Sequence, residues 1–194
     1  MAENSEPDRV KEFLGSAHVF SSAISGVIER KLLQDSVGGA LTVEQMQLLK
    51  LVSIREAHTI GDVAAFLEIS KAAASKTVDK LVRRALLSRS QSETDRRSIK
   101  LSLTESSRHL LALYDAERER KLAAIFDEAS SEELHRMSEL LDALSIRIVK
   151  HSSPPGKVCL QCGIYFRENC SLRNVLHQSC FHQQKPERKS GHAH

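Results

Sequence analysis

Tryptophan is absent from the sequence, and aromatic residues together make up only 4% of it. The core must therefore come mainly from Leu, Ile, Val and Ala, a composition that favours helices over sheets. No apolar run approaches the roughly 18 residues of a membrane span, and the polar start MAENSEPD lacks the layout of a signal peptide. We expect a mainly helical cytoplasmic protein with no membrane partner.

Cysteine is missing from the chain before Cys159, and all four cysteines lie in the remaining C-terminal segment. Disulfides therefore cannot staple the main body, and the thiols must serve something local to the tail. A length of 194 residues allows one substantial core with extensions. We expect one main domain over residues 1–150.

The net charge of +3 is too small to indicate a nucleic-acid-binding protein by itself, so the distribution of charge matters more. Between residues 70 and 100 there are nine basic side chains against three acidic ones, a local net charge of +6. A run of charge is often only a solvated helix face. Its position in the chain decides between that interpretation and a site for phosphates.

Four helices are predicted in the first half of the chain. Apolar residues recur every three or four positions from Asp8 to about Leu33, which predicts one long helix. Thr42 is a plausible N-cap of the second helix, and the third covers residues 59–67. After a three-residue turn, the fourth helix begins with Ser70 as its N-cap and continues to about Leu86.

The fourth helix has two contrasting faces. One face is apolar and is expected to pack inward; it consists of Ala74, Val78, Leu81, Val82 and Ala85. The other is expected to point outward; it consists of Lys71, Ala72, Ser75, Lys76, Asp79 and Lys80. Small residues allow close approach to a major groove and lysines reach bases or phosphates, so the third and fourth helices predict a helix-turn-helix that binds duplex DNA.

A β-hairpin is predicted directly after this helix. The period changes from 3.6 to 2 after Leu86, with Ile99, Leu101 and Leu103 alternating with polar residues. The tip, residues 91–97, carries Asp95, Arg96 and Arg97. An arginine on a protruding hairpin can enter the minor groove, so the unit over residues 42–104 is predicted to be a winged helix.

Two further helices are predicted, from Glu105 to about Phe126 and from Ser131 to Val149, the second with an apolar stripe. With the first helix they carry more apolar surface than one small domain can cover, which favours a homodimer. The predicted fold is mainly α with a small β-hairpin wing: a winged helix-turn-helix plus long dimerisation helices over residues 8–34 and 105–150.

The sequence DRRSIKLSLT at residues 95–104 resembles the MarR family signature of Asp-x-Arg followed by alternating apolar residues and Leu-Thr. The upstream LEISKAAASKTVDKLVRRALL is similar to the recognition helix of that family, and the likeness covers about residues 8–150. It implies a DNA-binding transcriptional regulator, expected to be a repressor. It further implies a homodimer with a pocket for a small ligand between the dimer helices and the winged domain.

The resemblance also implies roles for individual residues. Those facing the major groove would be Ser70, Lys71, Ser75, Lys76 and Lys80, with Ala72 between them. Arg97, with Arg96 beside it, would enter the minor groove while Asp95 braces the wing. Simple solvated surface positions stay open as the alternative for the lysines and Arg97. The sequence departs from the family pattern at Ala85 and at Ser106 or Ser107, where Gly is usual, which puts the local turns in doubt.

The tail begins with a Ser- and Pro-rich linker over residues 151–157, followed by a Cys-rich segment over residues 158–183 and a polar end over 184–194 that is expected to be disordered. Cys159, Cys162, Cys170 and Cys180 are spaced C-x2-C-x7-C-x9-C. Thiolates at such spacing suit a tetrahedral metal, so zinc held by four cysteines is predicted. Alternatives are an iron-sulfur cluster, a set of Cys159, Cys162, His177 and His182, or free thiols on a disordered tail.

Two classes of function follow from these patterns. One is a sequence-specific DNA-binding regulator that responds to a small ligand, a metal or a redox signal. The other is a winged-helix module that binds proteins, has a structural zinc tail and reads no specific DNA. An enzyme is not expected, because the main body has no Ser/His/Asp arrangement, phosphate loop or dinucleotide fingerprint.

Overall fold

The computed structural model describes residues 6–39, 41–54, 57–91, 99–151, 165, 167 and 170–176. The helices are α1 (Glu6–Ala23), a π-helix (Ile24–Lys31), α2 (Leu32–Val37), α3 (Val43–Ile54), α4 (Ile60–Phe66), α5 (Lys71–Arg83), α6 (Glu105–Ile125), α7 (Ser131–His151) and α8 (Ser171–Leu176). The strands are β1 (Ala57–His58), β2 (Leu87–Gln91) and β3 (Ile99–Leu103). The predicted fold class, mainly α with a small β wing, is confirmed.

The predicted long N-terminal helix is present as one continuous helical run, but the type of helix changes partway along it. Residues Ile24–Lys31 form a π-helix, and α2 follows without a break until Gly38, which takes the left-handed conformation that ends the run. The wider i to i+5 spacing of a π-helix shifts the side chains that follow it. Leu32 and Leu33 are buried after the π-helix, whereas α1 before it has no buried residue.

The predicted N-caps Thr42 and Ser70 are both present, and two further helices begin in the same way. The Thr42 and Ser70 hydroxyls accept hydrogen bonds from the backbone N–H groups three residues on, at 3.3 and 3.2 Å. The Thr104 and Ser130 hydroxyls do the same at the starts of α6 and α7, both at 3.2 Å. Each such bond satisfies an N–H group that the helix itself leaves unpaired.

The core lies where α3, α4 and α5 meet the sheet and the first half of α6. Its side chains are at most 9% exposed and include Leu48, Leu49, Val63, Ala74, Val78, Leu81, Leu101, Leu111 and Tyr114. The helix pair α4 and α5 is therefore anchored from behind by apolar packing. Among the described helices, none has both the length and the hydropathy needed to cross a bilayer.

The predicted hairpin is present as β2 and β3, which pair antiparallel from Leu87 opposite Leu103 to Gln91 opposite Ile99. A third strand, β1, pairs with the other side of β3, giving the sheet order β1-β3-β2. A two-residue strand is too short to produce a periodic signal in the sequence. The wing tip with Asp95, Arg96 and Arg97 lies outside the described residues, so the predictions for these side chains stay predictions.

The placement of Ala85 on the packing face of the fourth helix is wrong. The helix ends at Arg83, and Ala85 is exposed with a φ of 53°. Its N–H donates to Val82 O and the N–H of Leu86 donates to Leu81 O, both at 2.9 Å. These two bonds form a Schellman motif, whose left-handed position favours glycine. In the sequence, the helical spacing of apolar residues continues through Ala85, and alanine does not indicate that a helix ends there.

The second departure from the family pattern has a different outcome. Ser107 lies in the first turn of α6, is fully buried and donates its hydroxyl to Thr104 O at 2.9 Å. The Thr104 hydroxyl donates to Ala85 O at 2.7 Å and so ties the start of α6 to the cap of α5. Ser106 and Ser107 both lie within the regular helix α6, so the doubt about a turn at this point is resolved.

Ala85→Gly is expected to stabilise the protein by about 1 kcal/mol, because glycine adopts a positive φ without the steric cost that alanine carries. Guanidinium unfolding of both proteins measures this difference. Ala116→Gly in the middle of α6, at an exposed position, is the matched control and should destabilise by about 1 kcal/mol. A loss of stability in both variants would contradict the left-handed assignment at Ala85.

Candidate nucleic-acid interface

The residues predicted to face DNA lie on one side of α5, which we call the outer face: Ser70, Lys71, Ala72, Ser75, Lys76 and Lys80. All of these are exposed except Ser75, which is half-buried. On the opposite side Ala74, Val78 and Leu81 are completely buried. The helix therefore holds its cations away from the core because its apolar face is fixed within it. The Ser70 hydroxyl also serves as the N-cap of α5.

The single acidic side chain on this side of α5 is paired. Asp79 Oδ1 lies 3.3 Å from Arg89 Nη1 on β2, and both side chains are about half exposed. Sequence reasoning placed Asp79 on the outward side but missed this partner, because the two residues lie on different elements ten positions apart. The ion pair offsets the negative charge on α5 and connects the helix to the base of the wing.

The start of α5 packs closely on α4. Gly61 leaves space there: a Cβ at this position would lie 3.7 Å from Lys71 Cε and 3.3 Å from Thr59 Oγ1. Thr59 and Asp62 form a reciprocal capping box that fixes the first turn of α4, with bonds of 3.0 and 2.7 Å. The aliphatic stem of Lys71 thus passes close to α4 while the side chain stays exposed.

The winged core is joined to α6 by a largely buried ionic cluster that sequence reasoning missed. Lys50 Nζ on α3 binds both carboxylate oxygens of Asp115, and Arg118 Nη1 lies 3.3 Å from Asp115 Oδ1. Lys50 Nζ also lies 6.0 Å from the centre of the Tyr114 ring. Burial raises the pKa of Tyr114 to about 12. The cluster fixes where α6 leaves the DNA-facing unit.

A second ion pair joins α6 to α2, the helix that precedes the winged core. Lys121 Nζ on α6 lies 2.7 Å from Asp35 Oδ2 on α2, and this bond holds the pKa of Asp35 below its usual value. Beneath it is a cavity of about 140 Å³ between the π-helix, α2 and α6. Its lining is Val27, Ile28, Leu32, Leu122 and Ile125, with Lys31 and Lys121 also contributing. We call this the α2–α6 cavity.

Exposed large apolar side chains are most numerous on two of the described helices, α1 and α7. On α1 these are Val10, Phe13, Leu14, Val19 and Phe20, and on α7 they are Met137, Leu140, Leu141 and Ile148, all between 42% and 68% exposed. Leu134 and Leu144, two further leucines of α7, are half-buried. Apolar surface of this extent indicates an interaction site.

Of the predicted metal ligands, only Cys170 lies in the part of the chain that the structure describes. It is a half-buried free cysteine whose backbone O accepts from Asn174 N–H at 3.1 Å. Cys159, Cys162, Cys180, His177 and His182 lie outside that part. The ligand set is therefore not brought together in the described structure, and zinc binding stays a prediction.

Comparison with known proteins gives a consistent result. A family model described as MarR family matches residues 41–99. FabT from Streptococcus pneumoniae, solved in complex with DNA, is similar at a TM-score of 0.60 and 24% identity, over 76% of this chain and 100% of that one. A MarR family transcription regulator has a TM-score of 0.61 at 22% identity, over 76% and 97%.

Rv1404 from Mycobacterium tuberculosis is similar at a TM-score of 0.59 and 22% identity, over 75% of this chain and 95% of that one. No curated protein matches the chain by sequence. The likeness to the solved structures covers about three quarters of the chain, well beyond the matched segment. Residues 41–99 are therefore similar to the MarR family, and the chain has the winged-helix fold of these solved structures.

Proposed function

We propose that the protein is a transcriptional regulator that binds duplex DNA as a homodimer, and that it acts as a repressor. The observation that carries this proposal is the exposed outer face of α5, with three lysines opposite a completely buried apolar face. Such a helix after a tight turn suits the major groove. The structural similarity to FabT, which was solved in complex with DNA, supports DNA binding.

The position of the basic residues in the chain favours DNA over an acidic protein as the ligand. The outer face, Arg89 and the segment with Arg96 and Arg97 follow one another between residues 70 and 97, so a helix and a wing offer cations to one ligand. Duplex DNA presents a groove beside phosphates at regular spacing, which matches two neighbouring basic elements. A winged-helix module that binds proteins would not need two neighbouring basic elements.

Lys76→Ala and Arg97→Ala test this proposal. Lys76→Ala should weaken binding to all duplexes and reduce the slope of log K against log salt by about 1, because one phosphate contact is lost. Arg97→Ala should cost more than about 1 kcal/mol on the preferred duplex, as expected for a lost groove contact. Fluorescence anisotropy with a duplex enriched from a random library measures both effects.

Lys11→Ala is the matched control, since Lys11 is an exposed lysine on α1, outside the winged helix. It should leave DNA affinity and its salt dependence unchanged. Equal affinities for the enriched duplex and a scrambled one, in the wild-type chain, would favour the protein-binding module over the DNA-binding regulator.

The dimer would form through α1 and α7. Both helices leave apolar side chains exposed that a single chain does not cover, and the buried core is complete without them. A twofold partner buries the same patch on both copies and so covers this surface twice. It also places two α5 helices for binding successive major grooves of one duplex.

Ile148→Glu should weaken the dimer at least tenfold, because Ile148 is 64% exposed in the single chain and a carboxylate buried at an interface is unfavourable. Sedimentation velocity over a concentration series measures the change. Ile54→Glu on α3 is the control, since Ile54 is also apolar and 43% exposed but lies away from α1 and α7. A monomeric wild-type chain would contradict the dimer.

A small-ligand response is part of the proposal, and the α2–α6 cavity is its proposed site. The lining of the cavity is mostly apolar, and Lys31 supplies positive charge, while Lys121 is paired with Asp35. An organic anion with an apolar body suits this combination. The cavity lies between the π-helix, α2 and α6, so a bound ligand would contact both α6 and the helices that precede the winged core.

We also propose that the tail binds zinc through Cys159, Cys162, Cys170 and Cys180. The support is the spacing of the thiols in the sequence. Elemental analysis of the purified chain should find one zinc per chain, and Cys162→Ser should lose it, while His192→Ala should keep it. Iron with visible absorbance would favour the cluster, and absence of metal from the wild-type chain would contradict the proposal.

A further inference from the structure

The C-terminal helix α8 is attached to α7 through one carboxylate. Arg167 Nη2 donates to Asp142 Oδ1 at 2.7 Å, and Ser171 Oγ donates to Asp142 Oδ2 at 2.8 Å. The Asp142 side chain is only 18% exposed. Burial opposes its ionisation, but the bonds from Arg167 and Ser171 outweigh burial and keep the pKa of Asp142 below its usual value. Both oxygens of Asp142 are thus engaged by the tail.

Within the described structure, α8 is the element against which α7 packs most extensively. Val149 of α7 is 3% exposed, and Asp142, Ser145 and Ile146 are half-buried. The apolar side chains proposed for the dimer are on other sides of the helix, with Ile148 64% exposed. The tail therefore packs on α7 without occupying the proposed dimer surface.

Tyr165 connects the tail to the junction with the winged core. Its hydroxyl oxygen is buried and has no hydrogen-bond partner among the described residues. Burial raises the pKa of Tyr165, the nearby Glu29 and Tyr114 add to this, and Arg118 opposes it. These neighbours lie on the π-helix and α6. Tyr165 therefore lies beside the elements that join the DNA-facing unit to the long helices.

We propose that the tail is an intramolecular latch in which Asp142 binds Arg167 and Ser171, the Tyr165 hydroxyl is buried, and α7 is held in its DNA-binding orientation. This rests on the proposed function for its effect on DNA. With the latch closed, α7 has a fixed position before DNA binds. With the latch open, α7 has lost its most extensive contact with another described element. Fixing the position of α7 on DNA binding would then cost free energy, and DNA affinity would be lower.

The sequence provides a direct probe of the latch. There is no tryptophan and there are two tyrosines, so Tyr114→Phe leaves Tyr165 as the single strong fluorophore. In this full-length background, Asp142→Asn should raise the acrylamide quenching constant of Tyr165 at least twofold, because the neutral amide loses the Arg167 ion pair. Glu132→Gln removes an equal charge from α7, where Glu132 pairs with Arg136 at 2.6 Å, and should leave quenching unchanged.

DNA affinity is the second measurement, with the duplex that the wild-type chain enriches from a random library. Asp142→Asn should lower affinity at least threefold, and Glu132→Gln, with the same change in net charge, should not. Arg167→Gln should reproduce the Asp142→Asn effect. The double variant should be no weaker than either single variant, since one interaction is lost only once.

Each outcome decides a separate part of the proposal. Equal Tyr165 quenching in Asp142→Asn and its parent, with unchanged far-UV circular dichroism, would overturn the latch. Released Tyr165 with unchanged DNA affinity would overturn the coupling to DNA. Failure of the wild-type chain to enrich any duplex would overturn the proposed function instead, and the quenching measurement would still decide the latch. If Asp142→Asn does not fold, Arg167→Gln decides, because Arg167 is 43% exposed.

Discussion

The burial of one face of α5 is the constraint on which the proposed interface depends. Ala74, Val78 and Leu81 are completely buried, so the rotation of the helix about its axis is fixed. Lysines on the opposite face then point outward without any specific contact having to hold them. Long cationic side chains need a rigid support to act at one groove, and apolar packing supplies it. The Asp79–Arg89 pair extends this support to the wing.

Beyond the winged core, polar contacts determine how the long helices are attached. Lys50 and Asp115 join α3 to α6, Asp35 and Lys121 join α2 to α6, and Asp142 joins α7 to the tail. A partly buried charge left without its partner is costly, so the Lys50–Asp115 and Asp142–Arg167 pairs favour the observed arrangement of these helices. The core thus determines the orientation of α5, while the ion pairs connect α6 and α7 to neighbouring elements.

Much of the fold could be predicted from the sequence because its elements have clear periods and caps. Ser70, Thr104 and Ser130 mark helix starts, and the change to period 2 after Leu86 marks the hairpin. The strand β1 is too short to show a period, and the π-helix keeps the apolar spacing of an α-helix within normal scatter. Ala85 was wrongly assigned to the helix because alanine favours helices and the sequence does not reveal its positive φ. Contacts such as Asp142 to Arg167 join distant positions, which no local pattern reveals.

The third strand changes the mechanical character of the wing. Because β1 pairs with β3 at His58 and Ile99, β3 has a bonded neighbour on both sides at its outer end. A two-stranded ribbon bends easily where it leaves a domain, whereas a central strand is braced against such bending. Force applied to the ribbon by a bound ligand would therefore be passed through β1 to α3 and α4, on either side of it in the chain, instead of being absorbed as a swing of the hairpin.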